Sequence, residues 1–559
     1  MFTIIFSFLI SMPPNPFART AIHEPKMPKL MDAGMNILPK PIGEKKALIL
    51  LVDFSDNPQT YQPTDFDSLI YGTNQATMRD YYSEVSYGKF TISRSSKVVG
   101  WLRAPHNYSY YIGDSFGFYP GNYPYSVQGL VMDACNLADD SVNFADFDEN
   151  GDGVVDAIFI VHAGPGAEET GAKNMIWSHQ WQLSNTGTGC PGPYQSADGV
   201  VVDFYSMEPE RLVTPAVRIT CGVFVHEFGH QLGLPDLYDR DYSTNGLGLF
   251  CLMAAGSWGQ AATSDPPGSS PAHLCAWAKY QLGWVTPTAL ERAGVHKLEN
   301  QSIANTETNP VSYRLLEDPG GPDWGESGGQ GGEYFLTENR TRIGFDKSLP
   351  GEGLLILHCD DDQTHNDNEN HPLVGIMQGD GGSGFLIPPG SWGEAADLWK
   401  DNAYGFGDTS QPNSFYYEKS GARNPSGVWI YNIGAAGSSQ TASLWVTPVL
   451  LGQVYAYPNP FRSDRLPTWG RKAIITYIPT DTSGLADPYP AFRVIIYNLA
   501  GEQVRIIDQP ADIDRYNRRA YWDLKNGKGD EVVSGMYIFI LETQGAKVER
   551  NKGRITIIR

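Results

Sequence analysis

The chain has 559 residues, of which 41% are hydrophobic and 19% charged, with 60 Gly and 39 Pro. At roughly 100–200 residues per domain this length calls for three or four domains, and the apolar fraction excludes a disordered polyelectrolyte. Forty-one basic against 63 acidic residues leave a net charge of −22, which excludes a general nucleic-acid binder, because phosphate contacts need clustered Lys and Arg.

The first residues, MFTIIFSFLISM, are an apolar run followed by PPNPFARTA. That length fits the core of a secretory signal and falls short of the roughly 20 residues of a spanning helix, although no positively charged leader precedes it. Residues 1–20 are read as a signal segment and 21–44 as a linker or propeptide remnant. An exported protein follows, secreted or at the cell surface, with no transmembrane segment. The cysteines Cys135, Cys190, Cys221, Cys251, Cys275 and Cys359 form no C-x-x-C pair, so neither a thiolate zinc knuckle nor a thioredoxin-like motif is indicated. Some disulfides are expected in an exported chain.

Next, KKALILLVDFSD predicts a buried strand from Lys46 to Phe54. MRDYYSEVSYGKF places apolar and aromatic residues at helical spacing and stops at Gly88, where a left-handed cap fits. VVDAIFIVHAGPG predicts a second strand, so residues 45–165 read as an α/β layer. Residues 215–233, PAVRITCGVFVHEFGHQLG, read as one helix. From 286 to 447 the chain becomes rich in strands and loops, including a Gly-rich loop at 319–333 that lacks the GK[ST] ending of a phosphate cradle. VTPVLLGQVYAYPNPF then links to a last unit, in which ITYI, FRVIIYNL and GMYIFIL alternate apolar and polar residues, as in a small β-sandwich.

The sharpest motif is HEFGHQLGLPD, residues 226–236. Four residues advance a helix by about 400°, so His226 and His230 project from one face, one turn apart. Two imidazoles so placed suit one zinc ion at about 2.0–2.1 Å, and Glu227 stands beside the first of them as a base for water. Asp236 cannot join by continuing the helix, since that would carry it about 15 Å along the axis. Gly233 can take positive φ, end the helix and turn the chain back, and Pro235 discourages its resumption. Three protein ligands and an open position make a catalytic zinc site. In CLMAAGSW, Met253 is placed to form an apolar floor beneath it.

HEFGHQLGLPDLYD with CLMAAGSWG resembles the immune inhibitor A family of secreted bacterial zinc metallopeptidases, whose architecture is metzincin-like. ILLVDFSD, RDYYSEVSYGKF, DFDENGDGVVDAIFIVHAG, MIWSHQW, EYFLTENR and LPGEGLLILHCD are similar to that family as well, so the resemblance spans roughly residues 45–400. It implies a zinc endopeptidase acting on proteins or peptides, with zinc on His226, His230 and Asp236, Glu227 as catalytic base and Met253 in the Met-turn. The fold class expected is a multidomain chain: an α/β (α+β) metzincin-like catalytic domain at 45–285, a β-rich accessory domain at 286–448 and an immunoglobulin-like β-sandwich at 449–559. The last unit, through YPNPF, VIIYNLAGEQV, YWDLKNGKGDEVVSGMYIF and GRITIIR, resembles secretion-associated immunoglobulin-like domains. The type IX sorting domains and the hook-capping protein sandwich are of this kind, and they imply contact with secretion machinery or attachment to the cell surface.

DFDENGDGVVD alternates oxygen side chains around a Gly-assisted turn, and Asp148, Asn150, Asp152 and Asp156 are expected to wrap a calcium ion, with Asp146 as an extra ligand. The bidentate acid that usually closes such a loop is missing, and an Asx-rich turn is the alternative. HCDDDQTHNDNENH (358–371) is read as a solvated loop, His179 as lining or packing, and His162 and His273 as structural. Two rival functions remain: a cell-surface binding protein on an inactive peptidase scaffold, and a zinc hydrolase of non-protein amides.

Overall fold

Six strands assemble around one continuous apolar run. In the computed structural model this run is β2 (Leu48–Asp53), buried along its whole length, as an interior strand with a parallel neighbour on each side and helices on both faces must be. With β1 (Ile10–Ser11), β3 (Lys97–Arg103), β4 (Ile158–Pro165), β5 (His179–Gln182) and β6 (Phe204–Arg211) it forms a sheet of order β1-β5-β6-β4-β2-β3. Strands β6, β4, β2 and β3 run parallel, β5 pairs antiparallel with β6, and β1 pairs antiparallel with β5. The structure describes residues 10–17, 40–72, 76–113, 115–118, 122–184, 189–291, 295, 297–318, 332–382, 385–417, 426–446, 454–462, 472–477, 492–514, 519–543 and 550–559. Most of the expected leader and of the 21–44 linker, the Gly-rich loop at 319–331 and the link at 447–453 therefore lie outside the described residues.

Helices cover both faces of the sheet. On one side α1 (Pro63–Tyr71), α2 (Met78–Val85) and α4 (Cys221–Gln231) pack on Ile49, Leu51, Phe159 and Val161. On the other α3 (Val127–Ala138) packs on Leu48, Leu50, Ile158 and Ile160. The spacing of Met78, Tyr81, Tyr82 and Val85 puts all four inward. Thr77 caps α2 by accepting the Asp80 N–H at 3.0 Å, and Tyr87 and Gly88 end it at φ 59° and 74°. Tyr82 donates its hydroxyl to Val225 O at 2.6 Å, tying α2 to α4. Helix α4 begins at Cys221 rather than 215, because residues before it fold back along β6, with Ile219 N–H donating to Glu210 O at 3.0 Å.

Beyond residue 285 the chain is dominated by sheet. A five-stranded sheet holds Glu333–Arg340 and Gly353–Asp360 at its centre, and a four-stranded sheet contains Lys297–Ala304 and Ser439–Val446. One apolar core runs from the α4 face of the first sheet into this region without a break. In the C-terminal unit a four-stranded and a five-stranded sheet enclose a core of their own around Trp522, Phe539 and Ile555. All six cysteines are free thiols, five of them buried, which corrects the expectation of disulfides. Cys251 and Cys275 are neighbours, with the Cys275 N–H 3.4 Å from Cys251 Sγ, yet no pair is bonded. No helix among the described residues is long and apolar enough to cross a membrane.

Candidate metal centre

Helix α4 carries His226, Glu227 and His230 on its buried side. Gly233 adopts φ +97°, and Leu234 N–H reaches back to Gly229 O at 3.1 Å, so the helix closes in a left-handed turn. That turn delivers Asp236. Its Oδ1 lies 3.4 Å from His226 Nε2 and 3.2 Å from His230 Nε2, and the two Nε2 atoms are 3.2 Å apart.

Each imidazole is oriented through its other nitrogen. His226 Nδ1 is 2.9 Å from Leu252 O and His230 Nδ1 is 2.8 Å from Leu234 O. A carbonyl only accepts, so both Nδ1 atoms carry the proton and both Nε2 lone pairs point at the same spot as Asp236 Oδ1. Burial lowers the pKa of His226, which favours the neutral form that ligates. Three converging lone pairs repel one another unless a cation lies between them. A tetrahedral ion with bonds of about 2.0–2.1 Å places its ligand atoms about 3.3 Å apart, which matches the triangle. The donor set therefore fits zinc.

The turn through Met253 serves two of the candidate ligands, His226 and Asp236. Leu252 O holds His226, and Met253 O accepts the Leu237 N–H at 2.7 Å next to Asp236. Met253 is fully buried beneath α4, so close that a Cβ added to Gly229 would stand 2.6 Å from its Sδ. Only glycine at 229 lets this floor approach the helix.

Glu227 is fully buried, and neither carboxylate oxygen has a hydrogen-bond partner among the described residues. Burial first, then the nearby carboxylates of Glu208, Asp236 and Glu168, push its pKa well up. Glu208 was not visible as a site residue from sequence. It lies on β6 beneath α4, fully buried, with both oxygens also unpartnered. The order S-M-E-P-E gives β6 an unusually polar face, the one signal that pointed there. Asn366, from the acidic loop read as solvated, is instead buried, and its amide donates to Leu237 O at 2.8 Å. Arg240, in the same ligand loop, pairs with Asp367 at 2.9 Å.

The remaining histidines and the 146–156 loop lie elsewhere. His179 sits in β5 with its ring nitrogens 2.8 Å from Trp177 O and 3.2 Å from the Tyr205 hydroxyl, so both are engaged away from the His226–His230–Asp236 cluster, and burial lowers its pKa to about 3. His162 is likewise buried on the α3 face, and His273 is held by Glu84 at 2.9 Å. In the loop, Asp148 accepts the N–H groups of Gly151, Asp152 and Gly153 at 2.8, 3.1 and 2.9 Å. Asp156 accepts from Glu149 N–H and pairs with Lys45, Asn150 and Asp152 each accept an N–H two residues on, and Asp146 accepts from Asn143. These are the contacts of an Asx-rich turn.

Residues 41–285 match the family described as Immune inhibitor A peptidase M6, catalytic domain. This region is similar to the catalytic domain of immune inhibitor A peptidases. Over 295 residues the chain is 30% identical to the pre-pro-metalloprotease PrtV of Vibrio cholerae serotype O1, a match covering 43% of this chain and 30% of that protein. Over 277 residues it is 30% identical to immune inhibitor A of Bacillus thuringiensis subsp. alesti, covering 41% of this chain and 39% of that one. The match thus spans well under half of either curated relative. PorZ, a surface component of the type-IX secretion system of Porphyromonas gingivalis, aligns with 41% of this chain and 37% of its own at 14% identity. Its TM-score of 0.16 carries no fold relationship. The His226–His230–Asp236 cluster falls inside the immune-inhibitor-A-like domain, on the helix and bend that the sequence singled out.

Proposed function

We propose that this chain is a secreted zinc-dependent endopeptidase that hydrolyses peptide bonds of proteins. The observation that carries the reading is the 3.2–3.4 Å triangle of His226, His230 and Asp236 with the unpartnered Glu227 carboxylate beside it. Zinc held by the three side chains would lower the pKa of water toward 7 and polarise a carbonyl. Glu227, adjacent in sequence to His226, takes the proton from the attacking water and passes it to the leaving amine. Leu252 O and Leu234 O keep both imidazoles in the ligating tautomer, and the Met253 turn fixes the geometry beneath them. Elemental analysis of the purified chain should find one zinc. Casein hydrolysis should stop with a chelator and return with zinc; hydrolysis that persists without metal would refute the proposal. The same analysis counts calcium, for which the 146–156 loop is the proposed holder.

The C-terminal unit supports a second element of the proposal, a sorting or attachment role for an immunoglobulin-like sandwich at 449–559. Its two sheets around one core support that reading, as does the excess of basic residues over 515–559, ten Lys and Arg against five Asp and Glu. A chain ending at residue 446 should keep its peptidase activity and fail to reach the medium or the cell surface. Unchanged export of that shortened chain would count against the role.

A further inference from the structure

A seam joins the first region to the second, and a charged groove lies along it. Phe345, in the short turn Gly344–Ser348, packs its ring 5.0 Å from that of Tyr81 on α2. Its carbonyl accepts the Ser270 hydroxyl at 2.9 Å and its N–H donates to Glu84 at 2.8 Å. Thr341, just before this turn, is buried and fixed by Glu307, which accepts its N–H at 2.7 Å and its hydroxyl at 2.8 Å. The backbone of the groove is thus anchored by buried contacts.

Two lobes of opposite charge meet there. The first, about 690 Å³, is lined by Arg342, Lys347 and Lys400, all exposed, with small residues such as Ala261 and Ala436 between them. Glu352 also lines it, but it accepts the Arg342 N–H at 2.8 Å and pairs with none of the three cations. Lys347 O steadies the Arg342 guanidinium, accepting from Nε at 3.3 Å and Nη2 at 3.2 Å, and Lys400 Nζ donates to Ala395 O at 3.2 Å. Among the described residues, no carboxylate forms an ion pair with any of the three. The second lobe, about 480 Å³, shares Ala261 and Lys347 with the first and is lined by Asp80, Glu84 and Asp265. Glu84 is engaged by His273 at 2.9 Å and by the Phe345 N–H, which leaves Asp80 and Asp265 without a cation among the described residues. Gathered like charges repel one another, and a ligand of the opposite charge relieves each lobe.

This groove is separate from the metal centre and close to it. Ser269 and Ser270 of the second lobe follow Gly268, whose carbonyl accepts the Gly222 N–H at 3.1 Å near the start of α4. His226 and His230 lie further along that helix, about 6 and 12 Å from Gly222 along the axis. An extended polypeptide at about 3.3 Å per residue can reach both places.

We infer that the groove is an exosite for a charged stretch of a polypeptide substrate, acidic side chains entering the first lobe and basic side chains the second. The inference rests on the peptidase reading above and names the substrate class that this chain favours. Small-molecule sites are mostly apolar, whereas these walls carry charge at the ends of long, exposed side chains. Exposed ion pairs are individually weak, so the groove acts by keeping a tethered substrate near the cleft. Its effect falls on KM and not on the bond-breaking step.

The test uses the full zinc-loaded chain, and a labelled peptide of sequence EEEGGKKK as probe. In Glu227→Gln, which cannot cut the probe, fluorescence anisotropy should show saturable binding. Binding should vanish in 1 M NaCl, where charges are screened beyond about 3 Å. Lys347→Glu combined with Lys400→Glu should weaken it by about tenfold, and the milder pair Lys347→Gln with Lys400→Gln by about threefold. With Glu227 intact, the double charge reversal should raise KM for casein by about fivefold, leaving kcat and the turnover of an uncharged hexapeptide unchanged. No saturable binding of the probe would overturn the inference, as would charge reversal that leaves affinity or the casein KM within twofold of the parent. A probe of eight glutamates binding as tightly as EEEGGKKK would overturn it as well. Probe binding as described in a chain that cleaves nothing supports the groove and removes the peptidase reading instead.

Discussion

Glu227→Gln is expected to lower hydrolysis of a protein substrate by about 10²–10⁴-fold, the usual contribution of a positioned general base, and to leave zinc content unchanged. Glutamine has the same shape, and neither carboxylate oxygen of Glu227 supports a neighbour through a hydrogen bond that the amide would lose. The three candidate ligands keep their orientation through Leu252 O, Leu234 O and the Met253 turn, none of which involves Glu227. Stability should move the other way. The native carboxylate is buried near Glu208, Asp236 and Glu168, all of which disfavour its charge, so the neutral amide should leave the thermal midpoint equal or higher. Activity falling while the midpoint holds is the signature of a functional group built at the expense of stability. Parallel calorimetry and turnover on the same preparation read both, and loss of zinc from the variant would assign Glu227 a ligand's role instead.

Arg340→Ala is expected to destabilise the chain by about 3–5 kcal/mol, the range for removing one partner of a buried ion pair. Arg340 is completely buried in the second region. Its guanidinium makes a two-pronged contact with Asp346, 2.7 Å on each side, and Nη1 lies 3.1 Å from Glu338 Oε1 and 3.0 Å from Phe250 O. Asp346 in turn accepts the His273 N–H, and Glu338 accepts the Ala276 N–H. Burial acts to raise the pKa of Asp346, but Arg340 first and His273 next hold it well below the ordinary carboxylate value. Without the guanidinium, Asp346 and Glu338 are left in a water-free interior, where protonation is the only relief. Because Phe250 precedes the Met253 turn, the loss should also weaken zinc retention. Arg340→Lys keeps one charge and cannot make the two-pronged contact, so it should fall between. Thermal midpoints of the three chains, with zinc content measured on each, decide it; an Arg340→Ala midpoint within a degree of the parent would refute the cluster's role.

The candidate site was legible because its parts are close in sequence. His226 and His230 are one helical turn apart, Gly233 stands where the helix must end, and Asp236 follows within one bend. The α/β layer was legible for a similar reason: β2 and β4 are unbroken apolar runs, and α2 carries its buried residues at helical spacing. What escaped is held by contacts across long stretches of chain. Residues 215–220 continue the apolar pattern of α4, yet they pair back along β6, so the helix begins later than periodicity alone suggests. The pairing of Ile10 and Ser11 with Gln180 and His179, and the indole contacts of Trp177 and Trp258 with Met12 O and Pro13 O, join parts of the chain too far apart for any local pattern to carry. The cysteines gave no spacing signal, and five of the six are buried as free thiols. Arg340 looked like an ordinary strand residue because its three acidic neighbours Glu307, Glu338 and Asp346 are brought together by tertiary folding.

Two of the ties that hold the loop bearing Asp236, Asn366 on Leu237 O and Asp367 on Arg240, come from about 130 residues further along the chain. During synthesis the two imidazoles and the carboxylate therefore leave the ribosome well before the residues that steady their loop. A nascent chain carries the candidate metal cluster for that interval without these two ties, and its loop is steadied by them only when the second region has been made and folded against it.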